Sequence, residues 1–230
     1  MTMAEQTVGA APAPAPAMPG PETLCRCVEE LGAVCRDAWQ EGLLSGCNGN
    51  ASMRLEPCGN LLCMTRTGAA KGRLTPADIC LLEAATGRPL ANGPASSEAA
   101  MHLALYAALP GCGAVLHTHP RRLLALSLVL RSRGEGPASL LRLPLYEAEV
   151  WRARLAVAPA LQPGTQELAD AVAAAAATLP PGAVKAGGAV WMEGHGLCAF
   201  APNLAAALTM SEELEHLAAV QLLALGAADA

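Results

Sequence analysis

Aromatic side chains are scarce in this chain of 230 residues: three Trp, two Tyr and one Phe make up 3% of it. Stacking platforms for single-stranded nucleic acid are built from such rings, so that class of function is disfavoured. Charge is scarce as well, at 15% of residues, and 15 basic against 20 acidic side chains leave a net charge of −5. No basic field exists to draw nucleic acid or an anionic membrane surface, and neither is expected as a partner. No stretch reaches the roughly 18 consecutive apolar residues of a membrane-spanning helix. The first twenty residues carry no Lys or Arg and no long apolar run, so they do not read as a secretory signal. An ordered cysteine framework is missing too. Nine cysteines is an odd number at irregular spacings, which reads as free thiols in a reducing cytosol rather than disulfides. Cys25-x-Cys27 and Cys58-x4-Cys63 have no second pair at zinc-finger spacing. A cytoplasmic protein is expected.

Apolar residues are plentiful, at 53%, and mean hydropathy is +0.32. That is enough for one full core and one domain. Residues 1–20, with Ala and Pro alternating from 11 to 17, read as a disordered tail of polyproline II character. The domain is expected over 21–230. Leu24, Cys27, Val28, Leu31, Val34, Cys35, Ala38 and Trp39 recur at helix spacing and predict a helix over 24–43. Strands are predicted at 51–55, 61–65, 79–83, 113–118, 141–146, 154–158, 189–192 and 197–200. Turns are expected at 57–60 and 194–196, and a loop at 87–95. Further helices are predicted from Ser96-Ser97-Glu98 to 109, from Pro120 to about 130, over 165–178, and from 204 to about 225. One α/β domain with a mixed or antiparallel central sheet fits this order.

Five histidines are available, and three stand in unusual places. His117-Thr118-His119 ends an apolar strand. Residues i and i+2 of a strand share a face, with Cα atoms roughly 6.5–7 Å apart. Two imidazoles so placed can meet one ion, or they can be ordinary rim histidines. His195, between Gly194 and Gly196, is a candidate third ligand. Glu98 opens a helix, where the dipole favours a carboxylate; it is equally placed to be a base beside a metal. Ser96 and Ser97 share that helix start, a site suited to anions. Gly49 and Asn50 in the Ser45–Asn50 cluster, and Thr67 and Gly68 after Arg66, are two further turns or anion cradles. Lys71 and Arg73 stand ready to add positive charge. His102, one helical turn beyond Glu98, reads as a structural hydrogen-bonded residue, and His216 as part of a solvated or interface face.

The order of these elements carries a resemblance. SGCNGNASMR at 45–54, MTRTGAAKGRLTPADI at 64–79, ASSEAAMHLALYAALPGCGAVLHTHP at 95–120, GHGLC at 194–198 and the helix over 203–223 are similar to the class II aldolase/adducin family. L-fuculose-1-phosphate aldolase-like members are the nearest in pattern, and the likeness runs from about residue 22 to 225. It implies an α/β three-layer domain with a central, mainly antiparallel sheet covered by helices. It also implies a homotetramer with active sites between subunits, and one divalent metal per subunit, most often Zn2+. By motif, His117, His119 and His195 are the implied metal ligands, with Glu98 both ligand and base. Gly49, Asn50, Thr67, Gly68, Ser96 and Ser97 fall on substrate phosphate-binding positions. Tyr146 is the implied proton donor, acting across a subunit boundary. The implied reaction is cleavage of a ketose 1-phosphate, a small phosphorylated sugar, to dihydroxyacetone phosphate and an aldehyde through a metal-stabilised enediolate. Methylthioribulose-1-phosphate dehydratase, ribulose-phosphate 4-epimerase and a non-catalytic adducin-like tetramer share the scaffold and stay open. The chain departs from the pattern at Cys47 and Asn48, where Thr or Ser followed by a small residue is common, and at Arg66, where a proline is common.

Overall fold

The computed structural model describes residues 18–55 and 60–228. The expectations for residues 1–17 and for the turn at 57–59 lie outside these. Eight strands form one sheet: β1 (Asn50–Arg54), β2 (Leu61–Thr65), β3 (Ile79–Glu83), β4 (Pro89–Ala91), β5 (Ala114–Thr118), β6 (Leu155–Ala158), β7 (Gly188–Met192) and β8 (Gly196–Ala201). Their order across the sheet is β4-β3-β2-β1-β5-β8-β7-β6. Neighbours run antiparallel except β6 and β7, which are parallel. The helices are α1 (Pro21–Gln40), α2 (Ala99–Ala108), α3 (Arg121–Ser132), α4 (Tyr146–Arg152), α5 (Gln166–Ala177), α6 (Ala183–Ala186) and α7 (Leu204–Ala228).

Strand alternation divides the core into two layers. Leu61 and Cys63 enter one cluster, with Leu116, Trp191 and Leu197, under α1, α3 and α7. Leu62 and Met64 enter the other, with Val115, Val190 and Phe200, under α2 and α5. Both faces of the sheet are therefore covered, as a three-layer α/β domain requires. The faces also decide the site: β1 turns Asn50 and Ser52 toward α2, and β5 turns His117 toward Glu98 at its start.

Several local expectations are corrected. Residues 141–146 form no strand. Leu141 takes a left-handed φ of 56°, Pro144 has no N–H for a ladder, and Tyr146 opens α4 with Glu147 and Glu149 in its first turn. The loop at 87–95 contains β4, which tolerates Pro89 because it is an edge strand. Trp39 is not in the core: it is 48% exposed and its ring lies against Gly72. The second helix starts three residues later than Ser96. Glu98 is its N-cap residue, and the Ser96 hydroxyl accepts from the Glu98 backbone N–H at 3.2 Å.

Candidate active site

Three imidazoles converge where the central strands end. His117 is the penultimate residue of β5, paired with Asn50 on β1 and Cys198 on β8. His119 lies one residue past β5, and its backbone N–H donates to the Leu43 carbonyl at 2.8 Å. His195 sits in the turn between β7 and β8. Gly196 has to be glycine for the histidines to close up. A Cβ there would stand 2.5 Å from the Thr118 carbonyl oxygen and 3.2 Å from both the His117 and His119 rings.

The His117 Nδ1–H donates to the Leu197 carbonyl at 2.9 Å, leaving Nε2 bare and aimed inward. That is how a ligating imidazole is oriented. His119 Nε2 lies 3.0 Å from it. Glu98 Oε2 is 3.3 Å from His117 Nε2, and Glu98 Oε1 is 3.2 Å from His195 Nε2. Two donors bound to one tetrahedral ion at the usual bond lengths stand about 3.3 Å apart. The ligand atoms of the three histidines all lie within 4.8 Å of one another, and they are the group of three that fits a metal ion among the described residues. Glu98 Oε1 is buried without a hydrogen bond, which suits an oxygen that binds a cation.

Burial tunes the same atoms. It drives the His117 pKa down to about 3 and lowers that of His119, so both rings offer lone pairs. Burial pushes the Glu98 carboxyl upward, but the contact with His195, the facing His117 and the Asn50 amide outweigh it and hold the carboxyl at about 2. Glu98 is a carboxylate at neutral pH.

A cleft of about 540 Å³ opens beside this cluster. Gly49, Asn50, Thr67, Gly68, Ser96 and Ser97 all line it, together with Glu98, His119 and His195. The fold thus brings together the residues singled out by motif, with one exception. Tyr146 is outside this cleft, on the first turn of α4, and is 92% exposed. Gly49 takes a left-handed φ, and a Cβ there would stand 2.5 Å from the His117 carbonyl oxygen. The two loops are tied to each other. Buried Lys71 donates through Nζ to the carbonyls of Ala69 at 2.7 Å and Cys47 at 3.1 Å. The Cys47 thiol meets the Gly68 carbonyl at 3.1 Å. Lys71 is thus a brace as well as a charge. Arg66 lines the cleft, with one guanidinium N–H donating to the Ala77 carbonyl at 3.1 Å.

Sequence reasoning passed over Ser52, Tyr106 and Glu215. Asn50-x-Ser52 on a strand and His102-x3-Tyr106 on a helix were the available signals, since each spacing puts both residues on one face. Glu215, 5% exposed, accepts from the Arg122 backbone N–H at 2.9 and 3.1 Å and from that of Leu123 at 2.9 Å. It thereby caps α3, which follows directly on His119-Pro120.

A family model described as Class II Aldolase and Adducin N-terminal domain matches residues 29–222. The chain belongs to the class II aldolase and adducin family. Among curated members, the 3-oxo-tetronate 4-phosphate decarboxylase of Haemophilus influenzae is 31% identical over 183 residues, 80% of each chain. The L-fuculose phosphate aldolase of Methanococcus vannielii is 28% identical over 193 residues, 83% of this chain and 93% of the relative. The crystal structure of L-fuculose-1-phosphate aldolase from Thermus thermophilus matches with a TM-score of 0.72 at 27% identity, covering 90% of this chain and 97% of that one. The open, mostly antiparallel sheet between helices is the class II aldolase fold.

Proposed function

We propose that this chain is a cytoplasmic, divalent-metal-dependent lyase that cleaves a ketose 1-phosphate to dihydroxyacetone phosphate and an aldehyde. The observation that carries the reading is the Glu98 carboxylate, 3.2–3.3 Å from two of three convergent imidazoles at the edge of a donor-lined cleft. His117, His119 and His195 would hold the divalent ion, taken as Zn2+ from the family resemblance, since such a donor set also suits other metals. It supplies Lewis acidity to the substrate's carbonyl and hydroxyl oxygens. Glu98 moves a proton on and off the carbon beside the carbonyl. The Thr67-Gly68 and Gly49-Asn50 loops and the Ser96-Ser97 segment receive the phosphate through N–H and O–H donors. Arg66 adds a positive charge to that wall. Tyr146, exposed beside the apolar surface of Leu145 and Val150, serves the cleft of a neighbouring subunit in a homotetramer and exchanges the aldehyde's hydroxyl proton.

A second reading is favoured by the 31% identity to a 3-oxo-tetronate 4-phosphate decarboxylase. Loss of CO2 from a 3-oxo acid also leaves an electron pair on the carbon beside a carbonyl, so the same centre serves. It needs no partner for an aldehyde oxygen. The test is to supply zinc-loaded protein with ketose 1-phosphates and with 3-oxo sugar-acid phosphates, and to assay triose phosphate and CO2. Triose phosphate released from a ketose 1-phosphate without CO2 supports the aldolase, CO2 released together with triose phosphate from a four-carbon 3-oxo sugar-acid phosphate supports the decarboxylase, and a dehydrated or epimerised sugar overturns both. Glu98→Gln is expected to lower turnover at least about 100-fold while retaining the metal.

A further inference from the structure

Behind Glu98 a line of polar groups runs between β1 and α2. Asn50 Nδ2 donates to Glu98 Oε2 at 2.8 Å, and Asn50 Oδ1 lies 2.5 Å from His102 Nε2. His102 Nδ1 is 2.7 Å from the Ser52 hydroxyl, which is 2.9 Å from the Tyr106 hydroxyl. Ser52 and His102 are wholly buried, and Asn50 and Tyr106 are 3% and 4% exposed. Groups buried to this degree must satisfy one another.

Donor and acceptor chemistry gives the line one direction. An ionised carboxylate only accepts, so the Asn50 nitrogen faces Glu98 and its oxygen faces His102. That oxygen only accepts, so His102 carries its proton on Nε2. A neutral ring then has a bare Nδ1, which accepts from Ser52 O–H, and the Ser52 oxygen in turn accepts from Tyr106 O–H. Flipping the Asn50 amide would set its oxygen against the Glu98 carboxylate and, with His102 protonated on Nε2, its N–H2 against the His102 N–H, replacing two hydrogen bonds by two repulsions.

We propose that His102, Ser52 and Tyr106 are positioning residues that lock the Asn50 amide in the one orientation holding the Glu98 carboxylate against His117 and His195. None of the three touches the cleft; they act through Asn50. The functional consequence rests on the reading of Glu98 as the base, whereas the direction of the line does not.

The test has two parts. The full chain as purified, 15N-labelled at histidine, is examined by long-range 1H–15N correlation, with His102→Gln used to assign the resonance. A His102 protonated on Nε2 and bare on Nδ1 is expected, and a ring protonated on Nδ1 overturns the proposal. This measurement needs no substrate, so it stands apart from whether the chain is a lyase. The second part compares zinc-loaded His102→Gln, whose amide N–H can still reach Asn50, with His102→Leu, which has no donor. The Leu variant is expected to lose about 30-fold in kcat with KM within about twofold, and Gln to recover most of that loss, at equal zinc content and far-UV circular dichroism. Equal kcat in the two variants, or a loss carried by KM, overturns the proposal.

Discussion

Acid should destabilise this chain through His102. Burial holds the folded imidazole's pKa down from 6.5 to about 4, while the unfolded chain titrates at the ordinary value. Between those limits the unfolded state binds a proton that the native state refuses. The penalty is therefore absent above about pH 6.5, and stability is lost as pH falls from there toward 4. The whole difference is about 3 kcal/mol, of which about 2 kcal/mol has been lost at pH 5. Urea titrations of metal-free protein at pH 7.5 and pH 5, followed by circular dichroism and Trp fluorescence, measure it. The wild type should lose about 2 kcal/mol more than His102→Gln over that interval. His117 and His119, also held neutral by burial, contribute alike to both chains and cancel in the difference. Equal losses in the two proteins would refute the assignment of a neutral, buried His102.

Gly196→Ala pushes a methyl group to 2.5 Å from the Thr118 carbonyl and against two histidine rings, so zinc affinity should fall about 10–100-fold, read by competition with a chromophoric chelator. Glu215→Gln leaves a single acceptor oxygen for the Arg122 and Leu123 N–H groups and removes a charge from the start of α3. A loss of about 1–2 kcal/mol by urea titration is expected, and an unchanged midpoint would contradict the capping role. Arg66→Ala removes the guanidinium from the cleft wall, and inhibition by inorganic phosphate should weaken about tenfold, whereas inhibition unchanged from wild type would remove Arg66 from the phosphate site.

The long apolar periods are legible in the sequence by themselves. The first helix, expected over 24–43 and found at Pro21–Gln40, and the strands at 61–65 and 79–83 follow from spacing alone, because a 3.6 or 2.0 period survives wherever one face is buried. The helix ends earlier than expected, since Gly42 takes a left-handed φ just beyond it. The histidine cluster is half legible. His-x-His at a strand end can be seen, but the approach of His195 depends on a turn some 80 residues away in the chain, and only the family resemblance joins them. The segment at 141–146 misleads because Leu-Arg-Leu-Pro-Leu-Tyr alternates like a strand, while Pro144 and the acidic residues after it favour a helix start. Trp39 misleads because helix spacing places a residue near the apolar face without saying what lies opposite; here it is Gly72. The Asn50–Ser52–His102–Tyr106 line is only half legible in the sequence: the spacings put each pair on one face, but nothing in the chain says that the two faces meet. Only the packing of α2 against β1 turns their separate periods into one network.

We read three convergent imidazoles and an ionised Glu98 as a divalent-metal centre. Calorimetric titration of metal-free protein with zinc, wild type beside His117→Ala, tests it most directly. One ion per chain is expected in the wild type, with at least about 100-fold weaker binding once one of the three nitrogen ligands is gone. Binding of the same strength in both proteins, or no stoichiometric binding in a folded wild type, would contradict it.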